Sequence, residues 1–146
     1  MRSYEIYWIK DEFASYFYGR ERAFYQLFYE GEFGTSEQQR VAQNQIAFIT
    51  KPMPSLAIHR LLIQSLQKRK GFTSDGIVYR LDLPGKKGSV LLEVGDRKLS
   101  MKASGRFDGE SMMFEGLESF EGRLLAIDLR NIRYGWLQPQ KERKFV

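Results

Sequence analysis

One histidine, no cysteine and eighteen carboxylates in 146 residues leave a narrow choice of chemistry. His59 falls on the apolar face Leu56, His59, Leu62, Ile63, Leu66 of a helix predicted over 55–70, where a packed imidazole making a local hydrogen bond is the favoured reading. With no thiolate and a single imidazole, a zinc site is not supported, and a disulfide framework or a thiol nucleophile is excluded. General acid–base work needs carboxylates that converge. Asp82, Glu93, Asp96, Asp108 and Asp128 instead alternate with apolar residues or lie in turn segments, which reads them as solvated strand edges and turn formers. The segment DGESM carries a serine without the glycines of a nucleophile elbow, and LPGKKGS lacks the spacing of a phosphate-binding loop. The chain therefore reads as a non-enzyme with no catalytic residue, cofactor or metal.

What the sequence has in surplus is aromatic surface. Residues 12–30, EFASYFYGRERAFYQLFYE, hold eight aromatic side chains. At about 100° per helical residue, Phe13, Phe17, Phe24, Leu27 and Phe28 share one face, while Tyr18, Tyr25 and Tyr29 share another. A single amphipathic stripe does not hold both. Either the helix is sandwiched between a sheet and a neighbouring helix, or Gly19 interrupts and rephases it, leaving Phe13 and Phe17 to project as anchors for a partner. On the first reading the tyrosine hydroxyls reach solvent; on the second Phe13 and Phe17 are exposed while Tyr18, Phe24 and Phe28 supply the core. Phe48 shares the ambiguity, because Ala42, Ile46 and Ile49 cluster on one face of the next helix while Val41, Gln45 and Phe48 lie to one side.

The elements that position these residues follow from periodicity. SYEIYWI alternates Tyr4, Ile6, Trp8 against Glu5, Tyr7, Ile9 as a strand does. Asp11 is the expected cap of the aromatic helix. In TSEQQ, Thr35 or Ser36 with Gln38 or Gln39 three residues on reads as a capping box opening a second helix that ends near Thr50, before KPMP. A third helix, Ser55 to Lys70, is expected to close at Gly71. The period then changes to two: Ile77, Tyr79, Leu81 and Leu83 form one strand, and Val90, Leu92, Val94 with Leu99, Met101, Ala103 form a hairpin about Gly95-Asp96. ESMMFEGLESF is a short helix and LLAIDL a buried strand. The predicted order is β-α-α-α-β-β-β-α-β: an α/β (α+β) fold in one compact domain over 1–146, with helices packed on a mostly antiparallel sheet of about five strands.

Charge and compartment narrow the partners. The net charge is +5, with segment values of −2 over 1–50, +5 over 51–70, −2 over 71–129 and +4 over 130–146. The excess sits in KRK at 68–70 and in the ending RNIRYGWLQPQKERKFV, neither of which alone makes the continuous stripe that phosphate binding favours, although the two could meet in space. No apolar run is long enough for a membrane span, and MRSYEIYWIK lacks the features of a secretory signal, so a cytoplasmic protein is expected.

IKDEFASYFYGRE near the start, QIAFITKPMP in the middle and RYGWLQPQKERKFV at the end closely resemble the SirA family, the sporulation inhibitors of replication of endospore-forming bacilli, over essentially the whole chain. The resemblance implies a regulator that blocks chromosome replication initiation during sporulation by binding the N-terminal domain (domain I) of the initiator DnaA, as a monomer forming a heterodimer with that domain. It implies a partner surface made by Phe13, Phe17, Gln45, Phe48, Ile49 and Pro139. Phe17 and Phe48 stand where the family is expected to carry tyrosine, so any hydroxyl contacts made there are absent and hydrophobic insertion carries more of the binding. Tyr134 and Trp136 read as structural residues closing the end of the domain. No sequence-specific nucleic-acid binding and no membrane partner are implied; the alternative reading from charge is a small basic nucleic-acid-binding regulator.

Overall fold

A computed structural model describes residues 1–138. Strand β1 (Arg2–Ile9) buries Tyr4 and Ile6 on one face and Ile9 on the other. It is followed by α1 (Asp11–Tyr16), α2 (Arg22–Phe33) and α3 (Ser36–Ile49), after which β2 (Thr50–Lys51) pairs back onto β1. Helix α4 (Ser55–Leu66) leads to β3 (Phe72–Ser74), β4 (Val78–Asp82), β5 (Gly88–Val94) and β6 (Lys98–Gly105). Helix α5 (Asp108–Leu117), β7 (Arg123–Asp128) and β8 (Arg133–Trp136) complete the described residues. All eight strands join in one antiparallel sheet of order β3-β4-β5-β6-β1-β7-β8, with β2 beside β1 off that path.

The five predicted strands are there, and β5 and β6 form the expected hairpin, with Val90 opposite Ala103 and Val94 opposite Leu99. The order differs in two ways. The aromatic helix is two helices, broken at Gly19, which has φ +78°. Three further strands, β2, β3 and β8, join the sheet; at two to four residues each they are too short to show a period.

Helices cover both faces around β1 and β7. On one face, Ile58, Leu62 and Leu66 of α4 and Met113 and Leu117 of α5 pack on Tyr4, Ile6, Tyr79, Leu92 and Met101. On the other, Ala14, Phe24, Phe28 and Ile49 from α1, α2 and α3 pack on Ile9, Leu125 and Ile127. This explains the apolar run of β7: Leu124 and Ala126 belong to the first core, Leu125 and Ile127 to the second. A strand buried on both faces loses the alternation of a half-exposed one.

Local signals were met unevenly. Thr35 accepts from the Gln38 backbone N–H while the Gln38 side chain accepts from Thr35 N–H, a complete capping box. Asp11 does not cap α1; it lies in the first helical turn, with Oδ1 3.3 Å from Arg123 Nε. The inward face of α4 is Ile58-Leu62-Leu66: Leu62 and Leu66 are buried as predicted, His59 and Ile63 flank them half-buried, and Ile58 takes the inward place expected of Leu56, which is exposed. Helix α4 also stops at Leu66, so Gly71 is not its cap. Gly71 is where two backbones meet: a Cβ there would lie 2.0 Å from the Asp82 carbonyl oxygen, and Asp82 N–H donates to Gly71 O.

Candidate functional site

The break after α1 decides where the aromatic rings go. Phe17 caps α1, Gly19 turns the chain in a left-handed conformation that costs a glycine little, and Gly19 N–H donates to Glu21 Oε2 at 2.8 Å. The Arg20 guanidinium folds back over the rings of Tyr16 and Phe17, 5.0 and 5.6 Å from their centroids. Helix α1 thus lies across the entry to α2 and beside α3. Between the three helices opens a groove of about 410 Å³.

Phe24, Leu27 and Ile49 reach this groove from α2 and the end of α3, with Phe13 and Phe17 from α1 and Phe48 from α3 around them. Phe13 and Phe48 meet edge to face, ring centroids 5.6 Å apart, and Phe17 meets Phe24 in the same manner at 5.2 Å. Asn44 and Gln45 add the polar groups. Lys10 Nζ stands 4.8 Å from the centre of the Phe48 ring. The result is an open apolar slot with a few polar groups and a cation at its rim, suited to receiving apolar side chains of another protein.

Five of the six residues expected at a partner surface, Phe13, Phe17, Gln45, Phe48 and Ile49, line this one groove. Pro139 lies outside the described residues. Phe48 is 65% exposed and Gln45 is exposed, whereas Phe13 and Phe17 are half-buried, their inner edges resting on the second core. Ile49 is buried and contributes only part of the floor. Phe24 and Phe28 are in the core as expected, but Tyr18 is not: it follows the end of α1, is thrown outward by the break and is 40% exposed. Trp136 packs edge-on against Phe24 at 5.9 Å, a structural role, while Tyr134 is partly exposed beside Tyr25. Ala23, Leu27 and Asn44 also line the groove. Leu27 was legible from its shared helical face; Ala23 and Asn44 carry no sequence signal.

A larger cleft of about 570 Å³ lies between α2, α3 and the sheet. Lys98 pairs with Glu5, and Arg97 donates to the carbonyls of Ala47 and Thr50 and to Thr50 Oγ1, tying the end of α3 to the β5–β6 turn.

Four of the buried or half-buried titratable groups, His59, Asp128, Glu110 and Tyr4, are tied into the fold. His59 Nδ1 lies 2.6 Å from the Tyr79 hydroxyl, the local bond expected of it. Asp128 is not solvated as predicted: it is 1% exposed, accepts from Asn131 and Arg133, and sits under the β7–β8 turn. Burial pushes its carboxyl up, but those hydrogen bonds outweigh it and hold the group below its ordinary value. Glu110, also buried, takes Arg2 Nε at 2.9 Å and the Tyr4 hydroxyl. Burial, and then the hydrogen bond to Glu110, push the Tyr4 phenol up to about 12. Among the described residues no three His, Asp or Glu side chains converge as a metal site, and no helix is long and apolar enough to cross a membrane.

Two comparisons bear on identity. A family model described as "Sporulation inhibitor of replication protein SirA" matches residues 2–141. The chain is also 37% identical over 147 residues to the sporulation inhibitor of replication protein SirA of Bacillus subtilis (strain 168), covering 99% of each chain.

Proposed function

The chain belongs to the SirA family of sporulation inhibitors of replication, and from that premise we propose that it acts by seating the N-terminal domain of the initiator DnaA in the groove between α1, α2 and α3. The observation that supports this reading is convergence: Phe13 and Phe17 at α1 and Gln45, Phe48 and Ile49 on α3, spread over 37 positions of sequence, line a single slot floored by α2. An apolar slot with exposed Phe48 at its margin favours insertion of apolar side chains from the partner, surrounded by a polar rim that excludes water.

Occupying that domain would prevent the initiator from assembling productively at the origin without any reaction being catalysed. Binding is then the whole activity, carried by one copy of this chain on one copy of the DnaA domain in the cytoplasm. Titration calorimetry of the full chain against the isolated DnaA N-terminal domain tests the proposal. A saturable one-to-one complex that Phe48→Ala weakens is the expected result; wild-type affinity in a folded Phe48→Ala variant overturns it.

A further inference from the structure

The groove sits at one end of β1, beyond Ile9, and the opposite end of the sheet has a different character. Strand register brings the start of β3, the end of β4, the start of β5, the end of β6, the start of β1, the end of β7 and the start of β8 to the same side of the sheet. The turns there are cationic. Lys68, Arg69 and Lys70 lead into β3, and Lys86 and Lys87 occupy the turn from β4 to β5. Arg106 follows β6, its N–H bonded to Lys87 O, and Arg2 opens β1. Arg130 and Arg133 lie on the way from β7 into β8. Every one of these side chains except Arg2 belongs to an exposed residue.

Four carboxylates lie along the same row, of which Asp82 and Asp108 are exposed and two are withdrawn. Asp82 pairs with Arg80, and Glu110 and Asp128 are buried beneath Arg2 and Arg133. Those two buried carboxylates hold the guanidiniums in place, with Arg2 and Arg133 lying 4.3 and 5.8 Å from the centre of the exposed Phe107 ring. Six inter-strand gaps of about 4.8 Å give the row a length of about 29 Å. Charges that are scattered along the sequence become a stripe through the topology.

The geometry points to a second binding surface on this sheet end, which takes the sugar-phosphate backbone of double-stranded DNA without reading its sequence. Duplex DNA presents phosphates at fixed intervals, one on each strand for about every 3.4 Å of helix axis, so a row of about 29 Å laid along the axis spans most of a helical turn. Guanidiniums pinned by buried carboxylates suit such fixed spacing; a fluid layer of lipid headgroups imposes none. The row and the groove are separated by the length of β1, about 24 Å for eight residues, so a protein domain and a duplex can be held together. An inhibitor built this way stays beside the DNA on which its partner assembles.

Fluorescence anisotropy of the full chain with a labelled random-sequence duplex, between about 50 and 200 mM salt, tests this. The expected result is binding that weakens steeply with salt. The triple variant Lys86→Glu, Lys87→Glu, Arg106→Glu should bind at least about tenfold more weakly, and its log–log salt slope should flatten by close to one for each phosphate no longer neutralised. The same variant should retain its thermal melt and its binding to the DnaA domain, which separates this surface from the groove. Equal duplex binding by the triple variant and the parent overturns the inference. So does binding abolished by neutralising Lys141, Arg143 and Lys144 alone, or tighter binding to phosphatidylserine-containing vesicles than to the duplex at the same salt.

Discussion

Phe13 and Phe48, 35 positions apart in sequence, meet ring edge to ring face at 5.6 Å and join α1 to α3 across the mouth of the groove. The two differ in what they rest on. Phe48 is mostly in solvent, while Phe13 has one edge in the second core. Phe48→Ala should therefore weaken binding to the DnaA domain by about 2 kcal/mol, some thirtyfold, with little change in melting. Phe13→Ala should reduce both affinity and stability. A double-mutant cycle on binding and on urea denaturation should give a coupling of about 0.5 to 1.5 kcal/mol, as edge-to-face pairs do. Additive effects in both measurements would mean the two rings act independently.

Gly19 controls the angle between α1 and α2. Its φ of +78° disfavours any side chain, and a Cβ there would meet nothing within 4 Å, so the backbone alone sets the cost. Gly19→Ala should destabilise by about 1 kcal/mol, with Gly19→Asn costing less because asparagine tolerates this region. Denaturant titrations of the three proteins give the comparison. Equal stability of the alanine variant would show that the chain reaches the same break by another route.

The Arg2–Glu110–Tyr4 cluster ties the start of β1 to α5. Removing the buried carboxylate with Glu110→Ala leaves Arg2 without its partner and should cost about 3 kcal/mol. Tyr4 supplies a pH signature. Its phenol is raised from 10.0 to about 12 in the folded state, so the unfolded chain ionises first as pH rises. Its contribution is complete below pH 10 and is lost between pH 10 and about 12. Tyr4→Phe should show a shallower fall in melting temperature across that window.

Asp128 gives the opposite sign on the acid side. Its carboxyl is held below the ordinary value of 3.8, so its contribution is present above that value and is lost as pH falls through the folded-state value. Asp128→Asn should be less stable at neutral pH and lose less on acidification. Parallel melts from neutral pH to below pH 3.8 would expose an equal acid slope in both proteins, which would remove Asp128 from the account.

Much of the sheet was readable because one-sided burial leaves a period of two. Tyr79 and Leu81, Val90 and Leu92, Leu99, Met101 and Ala103 all point into the core facing α4 and α5. Strands β2, β3 and β8 leave no such trace, being only two to four residues long and, apart from buried Thr50, exposed or half-buried. Helix α4 and the burial of Leu62 and Leu66 are evident in the sequence, but the first turn of its inward face is not, since Leu56 and Ile58 are equally apolar and tertiary packing alone chooses Ile58. Gly19 signals a break by its residue type, yet only the folded chain shows that the break turns Tyr18 outward. The groove itself is visible in sequence only through family resemblance: helical phase places Phe13 with Phe24 and Phe28, and nothing in it brings Phe48 across from another helix. The cationic row is hidden for the same reason, as its members share an end of a sheet and not a stretch of chain.

The chain departs from the sheet at Ile9 and rejoins it at Thr50, and these two residues are partners in the β1–β2 ladder, with Lys10 N–H bonded to Ile49 O at 2.9 Å. Everything that lines the groove lies inside that span. To the rest of the sheet, the three helices are a loop drawn shut at its neck. Changes confined to the turns between the helices need not disturb the register of β1 against β6 and β7, so long as Phe24, Phe28 and Ile49 keep their packing on Ile9, Leu125 and Ile127. Substitutions of the rings that line the groove without entering that core, Phe48 above all, would thus change what the groove admits while the strands keep their pairing.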